Sequence, residues 1–188
     1  MHLLSTSNPK TAKGEALGYL TGILHLAPAT EAGGETVCPW STKGCRAACL
    51  NKAGRGVMSS VQNARIRRTR QWLGNPVQFH ARLNEDIRAL VRKAGRLSMR
   101  VAVRLNGTSD LQWEEGDADL MDRWPDVQFY DYTKAPWSKR GPLPRNYHLT
   151  YSLSESKNSD RLARTWLDHG HNVAGVFRDA PPQFLGHD

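Results

Sequence analysis

The chain has 188 residues, enough for one domain with a sizeable core, and 39% of them are hydrophobic. Its 26 Lys and Arg against 18 Asp and Glu leave a formal charge of +8, which favours an anionic partner such as nucleic acid, a nucleotide or phosphate. No apolar run approaches a membrane span, and Met1 to Lys13 is polar without a secretory leader's apolar stretch, so no membrane association and a cytoplasmic location are expected.

A single domain is expected over 1–188. Residues 1–16 read as an irregular N-terminal arm, with turn signals at Asn8-Pro9 and Lys13-Gly14. The α/β body follows over 17–180. Gly18 to Leu26 alternates with period two and reads as its first strand, closed by Pro28. A Gly-rich turn, Ala32-Gly33-Gly34-Glu35, leads into a loop at 36–56 that holds every cysteine of the chain.

Cys38, Cys45 and Cys49 are spaced C-x6-C-x3-C. With a helix from Gly44 or Cys45 to about Asn51, Cys45 and Cys49 lie one turn apart on one face, and Cys38 completes a three-thiolate claw. Three soft ligands without an evident fourth suit an iron–sulfur cluster, [4Fe–4S] with one iron left open, better than a closed zinc site. Two other readings stay open. A histidine such as His25 or His80 could complete a zinc site, and the three thiols could be buried without metal. A disulfide fits poorly with an odd count and a reducing compartment.

Gly54-Arg55-Gly56 then interrupts the helix beside the thiols, allowing close backbone approach to a ligand or a plain helix cap. Val61 to Leu73 reads as a helix whose Arg65, Arg67, Arg68 and Arg70 make one side basic. That side is either a solvated face or a surface for nucleic acid. Pro76 opens another helix, with Phe79, Leu83, Ile87, Leu90 and Val91 at helical spacing.

Four strand-like segments follow, Met99–Leu105, Val127–Tyr132, Tyr147–Leu153 and Asn172–Phe177, separated by helical or loop segments around Leu111–Arg123 and Ser159–His169. This βα rhythm predicts a parallel sheet in a partial (βα) barrel. The connection from Lys134 to Arg145 holds three prolines and reads as irregular. Parallel sheets bind ligands beyond the C-terminal ends of their strands. Asn106, Asp110, Asp131, Lys134, Ser152, Glu155 and Arg178 fall there. Together with His25 and Arg55 they are candidates for a pocket holding a small or anionic ligand under the thiols. Each also has a plainer role, as a helix cap or one half of an ion pair.

The segments Leu20-Thr21-Gly22-Ile23-Leu24-His25-Leu26-Ala27-Pro28, Gly44-Cys45-Arg46-Ala47-Ala48-Cys49-Leu50, Arg104-Leu105-Asn106-Gly107-Thr108-Ser109-Asp110 and Phe129-Tyr130-Asp131-Tyr132-Thr133-Lys134 together resemble the actinobacteriophage gene product 88 family, from about Ser5 to Phe177. The resemblance implies a phage protein of the host cytoplasm, cysteines that serve as iron–sulfur ligands, and a shortened radical-SAM-type barrel. It implies no particular reaction or catalytic residue. Radical-SAM enzymes space their cysteines C-x3-C-x2-C, so S-adenosylmethionine is the weaker expectation here. Family members are expected to continue beyond Phe177 into a further strand region. The alternative from another class is a zinc-stabilised module that binds nucleic acid through the Arg65–Arg70 helix and catalyses nothing.

Overall fold

Alternating burial along several segments and one long apolar stripe sort the chain into a sheet and its covering helices. The structure, a computed structural model, describes residues 2–7, 9–116 and 118–177. Its elements in chain order are β1 (Leu4–Ser5), α1 (Pro9–Glu15), β2 (Tyr19–Leu24), α2 (Lys43–Ala47), α3 (Ser59–Gly74), α4 (Pro76–Arg96), β3 (Arg100–Arg104), α5 (Trp113–Gly116), α6 (Ala118–Asp122), β4 (Val127–Thr133), β5 (Tyr147–Ser152), α7 (Ser159–Asp168) and β6 (Asn172–Ala174). No helix among the described residues is long and apolar enough to cross a membrane.

The architecture is α/β, with one open six-stranded sheet in the order β1-β2-β3-β4-β5-β6. The sheet does not close into a barrel. Only β1 is antiparallel; β2 through β6 run parallel, with Val103 beside Phe129 and Phe129 beside Tyr147. Crossovers between neighbouring parallel strands are right-handed, so a strand order equal to the chain order keeps their helices on one face. That face carries Val101, Val103, Phe129, Leu149 and Tyr151, all buried in one core with residues of α4, α6 and α7.

In α4 the stripe is Phe79, Leu83, Ile87, Leu90 and Ala94. Asn75 caps the helix by accepting the Gln78 amide at 3.0 Å, and Pro76 fills the first turn, where no backbone donor is required. Each large stripe residue contributes roughly 1.5–3 kcal/mol by leaving water.

The N-terminal segment corrects its reading as an irregular arm, since it carries β1 and α1. Asp86 of α4 is the reason. Its carboxylate accepts the Leu3 amide at 2.5 Å and the Leu4 amide at 3.2 Å, while the Leu3 and Leu4 side chains join the core. On the opposite face of the sheet, α1 lies on β2 with Gly14 close against Thr21.

Several boundaries also differ, among them the last strand, expected to Phe177 but ending at Ala174. β4 runs one residue past its expected end, to Thr133, so Asp131 lies inside the strand and not at its end. It shares the buried face of Val127, Phe129 and Thr133. The segment expected as a helix from Cys45 to Asn51 is only the five-residue α2, followed by 3-10 turns at Leu50–Lys52 and Gly54–Val57. Buried Asn51 explains the break. Its side chain donates to Glu31 at 2.6 Å and accepts from Arg65, and those contacts draw the chain off the helical path. The proline-rich connection is irregular as expected, with one 3-10 turn at Trp137–Lys139.

Candidate functional site

The cysteine loop leaves the C-terminal end of β2, beside the loops that follow β3, β4 and β5. Thr42 caps α2 by accepting the Cys45 amide at 3.1 Å. Cys49 stands beyond the end of that helix in extended backbone, so Cys45 and Cys49 do not share a helix face.

All three cysteines are free and half-buried. The Cys38 sulfur accepts the Ala29 amide at 3.3 Å and faces the Thr108 carbonyl at 3.6 Å. Burial pushes the Cys38 thiol up to about 11, against the Ala29 amide, and the charges of Asp110, Cys49 and Cys45 push the same way. Cys45 is raised too, chiefly by burial, with Lys134 opposing and Cys49, Asp110 and Glu155 adding. The three sulfurs therefore lie in one electrostatic neighbourhood. Cations stand in it as well. Lys134 acts on Cys45, and the Cys49 charge partly offsets the effect of burial on Arg65. Nearby cations are what a thiol needs to ionise.

Among the described residues, no three or more His, Cys, Asp or Glu side chains form a group that could hold a single metal ion. A cubane cluster spreads its thiolates more widely than one zinc ion does. The three free thiols, with Asp110 acting on two of them, are soft donors of the kind that iron–sulfur clusters use.

Several of the strand-end candidates meet the thiols. Asp110 acts on Cys38 and Cys45 while its carboxylate accepts the Lys134 amide at 2.9 Å and Arg140 at 3.1 Å. Burial raises the Asp110 pKa against the pull of Arg140. The Lys134 ammonium donates to the Ser152 carbonyl and hydroxyl at 3.0 Å each and to the Leu153 carbonyl at 2.9 Å. Exposed Glu155 accepts the Gly44 amide at 2.7 Å and the Thr42 hydroxyl at 2.8 Å.

Other candidates serve the scaffold. Asn106 is buried and closes its own loop, donating to the Leu111 carbonyl and accepting from Ser109, the Leu111 amide and Trp113. Asp131 accepts the Asn106 amide at 2.8 Å and the Tyr147 hydroxyl at 3.1 Å, with the Arg104 Nε at 3.7 Å. Burial lifts its pKa to about 7 against all three. His25 packs beside Gly107, Arg55 is exposed in a 3-10 turn, and Arg178 lies outside the described residues, as does the tail after it.

Sequence reasoning missed Arg140, which is 2% exposed. It donates to Glu114 at 2.5 and 3.2 Å, to Asp110 at 3.1 Å, to Tyr147 at 3.2 Å and to Thr133 at 3.3 Å. A lone arginine in a proline-rich segment carries no signal of burial. The basic helix is only partly turned inward, with Arg70 exposed although it reaches a backbone carbonyl. Arg65 is buried on Asn51, Arg68 donates to the His2 carbonyl and Arg70 to the Ala32 carbonyl, while Arg67 is exposed.

No curated protein and no solved structure matches the chain. The family model of gene product 88 matches residues 2–186. Spanning the strands, the cysteine loop and the strand-end residues alike, that match places the chain in the phage gene product 88 family.

Proposed function

We propose that this is an iron–sulfur protein in which Cys38, Cys45 and Cys49 would hold a [4Fe–4S] cluster with one iron left open for a ligand. The observation that carries the reading is that three free, half-buried thiols lie within twelve residues of one loop, which is held over the strand ends by Cys38 at the Thr108 carbonyl and Gly44 at Glu155. Such a cluster supplies one-electron chemistry and an open site for a ligand. The chain's own part is to orient and dry the thiols. Glu155 fixes the start of α2, the Ala29 amide steadies the Cys38 sulfur, and Lys134 and Arg65 balance negative charge.

The consecutive parallel order of β2 to β6 supports reading the sheet as part of a barrel, similar to a shortened radical-SAM barrel. The cysteine spacing favours a cluster that transfers electrons or binds a small ligand over one that binds S-adenosylmethionine. The proposed setting is the host cytoplasm, where thiols remain reduced.

Purification without oxygen, followed by iron and sulfide analysis, visible absorption and EPR, tests the proposal. About four iron and four sulfide per chain are expected. Replacing any one of the three cysteines by alanine is expected to lose or convert the cluster. A colourless protein with stoichiometric zinc and no sulfide overturns the proposal and favours a zinc-stabilised module.

A further inference from the structure

We propose that the sheet face opposite α4, α6 and α7, beside α1, binds single-stranded nucleic acid, by stacking bases on tyrosine and arginine and pairing phosphates with arginine. Side chains alternate along a strand, so the register of β2 to β6 decides which residues share this face. It presents Arg100, Arg104, Gln128, Tyr130, Tyr132 and His148. Not one of the positions on this side of β2 to β6 is Asp or Glu. A sheet face with several basic and aromatic groups and no carboxylate attracts a polyanion and repels nothing in it.

The geometry makes a stacking platform. The Arg104 guanidinium lies over the Tyr132 ring at 4.9 Å, and Arg100 lies over Tyr19 at 4.1 Å. Tyr132 is 41% exposed, although a tyrosine in the middle of a sheet ordinarily finds cover. Arg104 Nε is buried without a hydrogen-bond partner, its nearest carboxylate being Asp131 at 3.7 Å. Bases stack on tyrosine rings and on guanidinium planes alike, whatever the sequence, once they are out of a duplex. Gln128 and His148 stand beside the platform with polar edges.

Charge complementarity commits the surface to nucleic acid. The chain carries +8; of the α3 arginines Arg65 is buried on Asn51 and Arg68 is half-buried, while Arg67 and Arg70 are exposed on the helix. On the sheet, Arg100 lies over half-buried Tyr19 and Arg104 over exposed Tyr132, Arg104 also standing 3.7 Å from the Asp131 carboxylate. This inference does not depend on the iron–sulfur reading, because none of these residues touches the thiols.

The test is fluorescence anisotropy with a labelled mixed-sequence strand of about twelve nucleotides, as DNA and as RNA, in about 50 mM salt. The full chain is purified without oxygen. Binding of the strand, and weaker binding of the corresponding duplex, are expected. The log–log salt slope should be about −1.4 if two phosphates are neutralised. Y132A should weaken binding about tenfold while Y132F retains it, since stacking needs the ring and not the hydroxyl. R100Q should flatten the slope by about 0.7. C45A should bind as the parent does, which separates this proposal from the cluster. No binding by either strand, preference for duplex, or Y132A and R100Q that both bind like the parent would overturn it.

Discussion

Glu155 accepts the Gly44 amide at 2.7 Å, so the segment after β5 is tied to the opening turn of the helix that carries Cys45. The Gly44 amide, with help from the Thr42 hydroxyl, holds this carboxyl below the usual glutamate range. A depressed carboxylate contributes while pH stays above its ordinary pKa, and the contribution fades as pH falls through the lower, folded value. E155A should therefore speed amide exchange across Gly44 to Ala48, with E155Q intermediate. The wild type should acquire the same fast exchange only in strong acid. Exchange unchanged in E155A would remove Glu155 from any part in ordering the cysteine loop.

Asp131 behaves in the opposite sense. Burial raises its pKa from the ordinary 3.8 to about 7. Between those values the folded protein holds a proton that the unfolded chain has lost, so unfolding free energy falls as pH rises through this window and levels off above it. The slope for this one proton is at most about 1.4 kcal/mol per pH unit. Asp110 and Glu114 are raised by burial as well and tilt the profile the same way. Urea unfolding between about pH 4 and 7 should show stability increasing toward acid. In D131N the profile should be flatter, because the amide has no proton to lose.

The same carboxylate shows where sequence reading stopped. Val127 to Tyr132 was legible as a strand from its alternation, and α4 from its apolar stripe. The alternation already sets Asp131 on the face of Val127 and Phe129, but that this face stays buried out to Asp131 and Thr133 depends on pairing with β5, which no local pattern carries. The N-terminal strand was hidden for a similar reason. Two leucines make no period, and their anchor, Asp86, lies more than eighty positions along the chain. Among the candidates, Lys134 bonds to both Asp110 and Ser152, and Glu155 reaches Gly44 of the cysteine loop. The basic character of α3 was visible as well. What the arginines do was not, because Arg65 meets Asn51 only after the intervening glycine turns fold back.

Arg140 supports a prediction about the core beneath the site. It neutralises Asp110 and Glu114 and also reaches Tyr147, with no exposed side-chain surface. Removing one partner of a buried ion pair leaves the remaining charge without solvent or counter-ion, at a cost of about 3–5 kcal/mol. R140A should lose about that much in urea unfolding. R140K should recover only part of it, since an ammonium cannot span both carboxylates as the planar guanidinium does. A loss in R140A below about 1 kcal/mol would mean that the carboxylates simply take up protons instead.

Gly107 links the packing of the sheet to the environment of Cys38. Its amide donates to the Leu24 carbonyl at 2.9 Å, and a Cβ there would stand 2.5 Å from that oxygen and 2.8 Å from the Ile23 side chain. The carbonyl belongs to the end of β2 and cannot swing aside, so G107A must separate the ends of β2 and β3. Overpacking of this kind costs about 1–3 kcal/mol. The next residue, Thr108, holds the Leu26 carbonyl through its hydroxyl at 2.6 Å and presents its own carbonyl to the Cys38 sulfur. A shift of this loop therefore exposes Cys38 as well as weakening the sheet. In metal-free protein, G107A should lower the urea midpoint and hasten the reaction of Cys38 with a thiol reagent, with C45A/C49A as the background that isolates the Cys38 signal. A lower midpoint with unchanged Cys38 reactivity would show that the loop after β3 absorbs the strain without passing it to the cysteine.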